Sequence, residues 1–270
     1  MTKSAFLFIL SLFIVSCAGD SFSTSSDSAY PTRYCILSEA EREGLFKSFD
    51  ADFKEYFEVD SFGFIEIRGG KLLDSEVFSG KINDKTQALQ LAIGFIRQNN
   101  KFYGISNVLQ LEPEDINGSW ASYGGKFQQE SEADVNRWII RFKNQNFNGI
   151  EVYNTKIGIY LSPRGVYWTY GHWYRDIYLP QNEKVSFEEA KQSLVGKTFG
   201  YSDWTGHKEH TITESDFNSG DTGLRMLVPF RKNRCTEIRH CWKIQSKTIW
   251  NFYVDVVTGE LIFREQTIIF

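Results

Sequence analysis

Aromatic-rich alternation with a period of two most narrows what this chain can fold into. Trp138, Ile140 and Phe142 alternate with Arg137, Arg141 and Lys143. Side chains on a strand point to opposite faces in turn, so this spacing predicts a strand with one dry and one wet face. Asn148-Gly149 is a hairpin signal. Alternation resumes over Val152 to Leu161 through Ile157, Ile159 and Leu161. Pro163-Arg164-Gly165 is a further turn, and Val166 to Tyr178 reads as a long aromatic strand. Consecutive strands joined by short turns form an antiparallel meander, whose apolar face must be covered by another layer. The 7 Trp, 13 Tyr and 23 Phe suit such strands.

Helical patterns supply the cover. Ser38-Glu39-Ala40-Glu41 is a capping box. It opens a predicted helix over 39–57 with Leu45, Phe49, Phe53 and Phe57 in one stripe. Ser61 to Ile67 reads as a strand closed by Gly69-Gly70. Thr86 to Asn99 forms a second helix that buries Ala88, Leu91, Ala92, Phe95 and Ile96. Beyond the polar break Pro180 to Lys184, Ser186-Phe187-Glu188-Glu189 caps a short third helix with Ala190, Leu194 and Val195 inward. Strands are predicted at His210–Thr213, Leu224–Phe230, Trp242–Lys247 and Asn251–Val256, the last pairing with Glu260–Phe263 across Thr258-Gly259. Helix followed by sheet occurs twice. The reading is an α+β protein of two related units, 37–180 and 181–270.

The N-terminus reads as an address. Lys3 precedes the apolar run Ala5 to Val15, too short to span a bilayer. Residues 1–16 are therefore a predicted signal peptide. Ile14-Val15-Ser16-Cys17 resembles a bacterial lipobox. That resemblance implies lipidation of Cys17 and a lipid-anchored place in the bacterial cell envelope. An ordinary signal peptide would instead leave Cys17 a plain thiol. Residues 17–36, rich in Ser over Asp20 to Ala29, read as a flexible tether. A net charge of −4 argues against a general polyanion binder, so no nucleic-acid partner is expected. Arg225, Arg231, Lys232, Arg234 and Arg239 make a local basic stretch, read as a solvated hairpin face.

With Cys17 lipidated, Cys35, Cys235 and Cys241 remain. Cys235 and Cys241 enclose a short segment between two strand-like stretches. Opposed positions on antiparallel strands lie at disulfide distance, so a bridge between them is predicted to staple a hairpin. Two unpaired thiols are the alternative. Cys35 is left free or as an intermolecular partner.

A direct search for chemistry gives no catalytic set, metal site or cofactor site. His207-Lys208-Glu209-His210 is the only His cluster, without a visible third ligand or helix. No Gly-x-Ser-x-Gly elbow and no phosphate loop is present. Asp255 is read as holding a turn through its side chain. The aromatic strand is the candidate surface. Trp168, Tyr170 and His172 fall on one face, and Tyr167, Thr169 and Trp173 on the other. Either Trp168, Tyr170, His172 and Trp173 help form a partner surface, or the strand is buried on both sides.

Several segments, taken in order, resemble a known family. Trp138-Ile-Ile-Arg-Phe142, Phe147-Asn-Gly-Ile-Glu-Val-Tyr153, Ile157 to Tyr160 and Gly165-Val166 are similar to the propeptide of fungalysin and thermolysin-like metallopeptidases. Ala88 to Ile105 is similar to the helix that precedes those strands. Trp242 and Trp250-Asn-Phe-Tyr-Val-Asp-Val-Val-Thr-Gly-Glu-Leu-Ile262 resemble the PepSY domain. The resemblance implies two cystatin-like units, each a helix across a curved antiparallel sheet. Such propeptides chaperone and inhibit the peptidase that follows them. Here no His-Glu-x-x-His occurs and the chain ends at Phe270. The expectation is a non-enzymatic lipoprotein that binds, inhibits or chaperones an exported metallopeptidase in trans. A surface lipoprotein that binds a host, glycan or envelope ligand, and an unrecognised hydrolase, are the other readings.

Overall fold

The computed structural model describes residues 30–47, 58–66, 82–119, 137–162, 165–218, 220–247 and 249–267. Residues 1–29, which hold the expected signal peptide, Cys17 and most of the expected tether, lie outside them. The first half runs β1 (Thr32–Cys35), α1 (Glu39–Lys47), β2 (Glu58–Val59), β3 (Ile65–Glu66), α2 (Lys85–Gln98) and α3 (Asn100–Tyr103). It continues with β4 (Pro113–Ser119), β5 (Arg137–Phe142), β6 (Asn146–Phe147), β7 (Ile150–Val152), β8 (Gly158–Ser162) and β9 (Gly165–Tyr170). The second half runs α4 (Phe187–Gln192), β10 (Thr198–Asp203), β11 (Gly206–Thr211), β12 (Leu224–Lys232), β13 (Cys235–Gln245), β14 (Trp250–Asp255) and β15 (Leu261–Gln266). The protein is α+β, with mostly antiparallel sheets and few helices.

Local signals set the helix starts. The Glu41 carboxylate accepts from the Ser38 amide at 2.7 Å, and the Glu41 amide donates back to Ser38 Oγ. Ser186 and Glu189 make the same reciprocal box for α4. Asp84 caps α2 by accepting from the Gln87 amide at 2.8 Å. The expected helix over 39–57 is seen to Lys47, and its last residues lie outside the described ones.

α2 packs across a four-stranded sheet ordered β4-β5-β8-β9. Ala88, Ala92, Phe95 and Ile96 meet Trp138, Ile140, Phe142, Ile159, Leu161 and Val166. Burying each large apolar side chain contributes about 1.5–3 kcal/mol. α4 covers a seven-stranded sheet in the same way, with Phe187, Ala190 and Leu194 against Trp242, Ile244, Phe252 and Val254. That sheet is ordered β15-β14-β13-β12-β7-β6, with β1 added on β13. It joins strands from both sides of the 180/181 boundary, through the parallel β7·β12 pair and the antiparallel β1·β13 pair. Val152, Tyr174, Ile177, Leu227 and Ile238 form the core where the layers meet.

Several sequence expectations change. Thr32–Cys35, placed in the tether, is a strand with four cross-strand pairs to β13. Val152–Leu161 is not one strand: Asn154 at φ 57° turns the chain, so β7 and β8 enter different sheets. The strand expected over Val166–Tyr178 ends at Tyr170. Gly171 takes φ 87°, and a Cβ there would sit 2.0 Å from the Lys156 carbonyl oxygen. The Cys235–Cys241 bridge is also corrected: the disulfide joins Cys35 to Cys235, and Cys241 is a buried free thiol. Asn233 at φ 57° turns the hairpin before Cys235, so Thr236 to His240 continue β13. Cys235 and Cys241 then lie on one strand, about 20 Å apart over six residues. Cys35 instead sits directly opposite Cys235.

Candidate interaction face

The four-stranded sheet has one face under α2 and one turned away from it. β5 and β8 pair Ile140 with Ile159 and Trp138 with Leu161, all inward. Their neighbours Ile139 and Tyr160 therefore face outward. β8 and β9 place Tyr160 beside Trp168 and Gly158 beside Tyr170. A β-bulge between Tyr160 and Leu161 leaves Tyr167 opposite no residue of β8. The irregularity brings its ring to the same outer cluster, at 6.0 Å from Tyr160.

The rings interlock. Tyr160 and Trp168 centroids are 4.3 Å apart, and Trp168 and Tyr170 are 5.6 Å apart. Both pairs are tilted, with 50° and 49° between the ring planes. Tyr167, Trp168 and Tyr170 are half-buried. The Tyr170 ring packs against Gly158, where an added Cβ would collide with it. Arg137 stacks over Tyr167 at 5.5 Å. Arg141 pairs with Asp115 at 2.8 Å. That hydrogen bond, with lesser help from the Tyr170 and Tyr160 hydroxyls, holds the Arg141 pKa above its ordinary value. The face is thus a preorganised platform of Tyr, Trp and Arg, the side chains that dominate binding energy at protein interfaces.

Of the four expected surface residues, Trp168 and Tyr170 lie on this face. His172 and Trp173 do not, because the strand ends before them. Trp173 is 3% exposed and belongs to the core under α2; its amide donates to the Tyr103 carbonyl at 2.7 Å. His172 stacks on Phe64 at 3.6 Å, and burial pushes its pKa down to about 4. Tyr160, Arg137 and Arg141 join the face without having been singled out. Period two over β5 and β8 was the available signal for them. The bulge that adds Tyr167 leaves none.

His207 and His210 lie on β11, where positions three apart project to opposite faces. His210 Nε2 lies 3.1 Å from Asp216 Oδ1. Among the described residues no group of three or more His, Cys, Asp or Glu side chains could hold a metal ion. Asp255 holds its turn as read from sequence: Oδ1 accepts from the Val257 and Thr258 amides at 2.8 and 2.9 Å. Its Oδ2 accepts from Arg239 Nη1 at 3.1 Å and the Tyr30 hydroxyl at 2.9 Å. Arg239 also pairs with Glu237, which Arg33 reaches at 3.0 Å. Burial would raise the Glu237 pKa, but the hydrogen bonds and charge of Arg239 lower it further than that. An open polar basin lies at the end of β4 and β5. Its Glu112, Glu114 and Glu151 are taken up by Lys143, Lys156 and Asn144. Among the described residues, no helix is long and apolar enough to cross a membrane.

No family model matches the chain, and no curated protein does. Among solved structures, the Bacillus megaterium YpeB C-terminal domain is similar at 15% identity and a TM-score of 0.29. The match covers 86% of this chain and 98% of that one. A similarity this low carries no argument about function.

Proposed function

We propose that the protein is a non-catalytic binding module that takes a protein partner on the outer face of the four-stranded sheet. One observation carries this reading: Tyr160, Tyr167, Trp168 and Tyr170 form an interlocked, half-exposed platform with Arg137 and Arg141 beside it. The platform is held by packing, so little side-chain entropy is lost on docking. The partner is an exported metallopeptidase bound in trans. The order of propeptide-like and PepSY-like motifs in the sequence supports that choice. Its mechanism is occlusion or chaperoning by surface contact, with no chemistry on this chain. An N-terminal lipid on Cys17 places the module at the cell envelope, and the lipobox resemblance supports that part.

Trp168→Ala combined with Tyr170→Ala tests the face. The variant keeps its melting transition and loses inhibition of, or binding to, the exported metallopeptidases of the same cell. Retained binding would refute the face. A wild-type chain that neither binds nor inhibits any of them would refute the partner class. Glycan binding lost in the same variant would replace a protein ligand with a carbohydrate one. Mass spectrometry of the mature N-terminus reads the lipid directly.

A further inference from the structure

The binding face does not use the basic tip of the β12–β13 hairpin, and that tip surrounds the disulfide. Cys235 opens β13 between two neighbours: Cys35 of β1 on one side and Lys232 of β12 on the other. Opposed residues on neighbouring strands project to one face, so Cys35, Cys235 and Lys232 form a row. Only Asn233-Arg234 separates Lys232 from Cys235 in the chain, and residues 231–234 are all exposed. Two positions along the same face, Glu237 is paired with Arg239 and Arg33, and the Lys232 charge also reaches it through space. Positive charge therefore sits beside Cys235. The two residues also differ in exposure: Cys35 is exposed and Cys235 half-buried.

From this arrangement we infer that Cys35–Cys235 is a thiol–disulfide exchange site, opened by a dithiol reductant. The reductant's thiolate attacks Sγ of Cys35, the more exposed residue. The Cys35–Cys235 bond breaks, and Cys235 leaves as a thiolate beside Lys232 and Arg234. The reductant's second thiol, as its thiolate, then attacks the mixed disulfide and releases the Cys35 thiolate. Two electrons pass from the dithiol to this protein, and the donor ends as a disulfide. Nearby cations stabilise a thiolate, and a stabilised thiolate is a better leaving group. Cys241 takes no part. It is buried on the same strand about 20 Å away, and burial raises its thiol pKa well above the ordinary value. Opening the bond removes the covalent tie between the N-terminal strand and β13. The β1 segment is then held only by its strand pairing and by contacts such as Arg33–Glu237 and Tyr30–Asp255.

The full oxidised chain is incubated in graded dithiothreitol without denaturant, trapped with iodoacetamide and mapped by mass spectrometry. Cys35 and Cys235 become labelled together while Cys241 stays unlabelled, which certifies that the fold is intact. Lys232→Glu slows reduction severalfold, and Lys232→Arg leaves it unchanged. Arg234→Gln at the exposed tip provides a second slowed variant should Lys232→Glu expose Cys241. If Cys35 and Cys235 label only when Cys241 does, the bond opens only on unfolding and the inference is overturned. Unchanged reduction rates in the folded charge variants overturn it equally.

Discussion

Replacing Asp255 by Ala tests whether the buried charge network is as structural as its geometry indicates. Asp255 is 0% exposed. Its two oxygens serve the Val257 and Thr258 amides, Arg239 and Tyr30. Removing one partner of a buried ion pair costs about 3–5 kcal/mol, because the remaining charge loses compensation. Arg239 keeps Glu237, which places the loss near the lower end, about 3 kcal/mol. The two turn amides add roughly 1 kcal/mol each, less than additively. The expected total is about 4 kcal/mol, a large share of a typical stability of about 5–15 kcal/mol. Asp255→Asn keeps an oxygen for the turn and loses the charge, so it should fall near half that value. Urea denaturation followed by tryptophan fluorescence measures both, with the slope m as a check on two-state behaviour. A loss below about 1 kcal/mol for Asp255→Ala would refute the reasoning, since no buried network of this kind could then depend on that carboxylate.

Four further outcomes follow from the packing. Trp173→Ala should cost about 3–5 kcal/mol, and Trp168→Ala less than half of that; equal losses in chemical denaturation would place both in the core. Gly158→Ala should displace the Tyr170 ring and weaken partner binding, with an overpacking cost of about 1–3 kcal/mol; unchanged binding and an unchanged Tyr170 ring environment by NMR would contradict the contact. Phe95→Ala, beneath the sheet, should cost about 3–5 kcal/mol in a melt, while leaving the outer face able to bind at low temperature. Burial pushes the folded pKa of His172 down to about 4, from an ordinary value of about 6.5. The unfolded chain thus binds more protons between those values, so stability is full above about 6.5 and falls as the pH drops toward 4. His172→Leu should flatten that slope in part, His240 also being lowered by burial; an NMR midpoint for His172 near 6.5 would remove the effect.

What sequence alone determined is local. The Ser38 and Ser186 capping boxes, the inward residues of α2, the alternation of β5 and the Asp255 turn each depend on residues a few positions apart. A hydrogen bond or a period recorded over so short a span survives whatever the rest of the chain does. Tertiary structure decided which strands became neighbours. Cys35 and Cys235 are 200 residues apart in sequence, and only the docking of β1 on β13 made them partners. Gly171 and Asn154 ended strands that hydrophobic pattern alone would have continued, because a positive φ takes the chain out of the sheet. The bulge beside Tyr160 brought Tyr167 to the outer rings against the simple period. Pattern assigns a side chain to a face, but burial of that face depends on the layer brought against it from elsewhere in the chain.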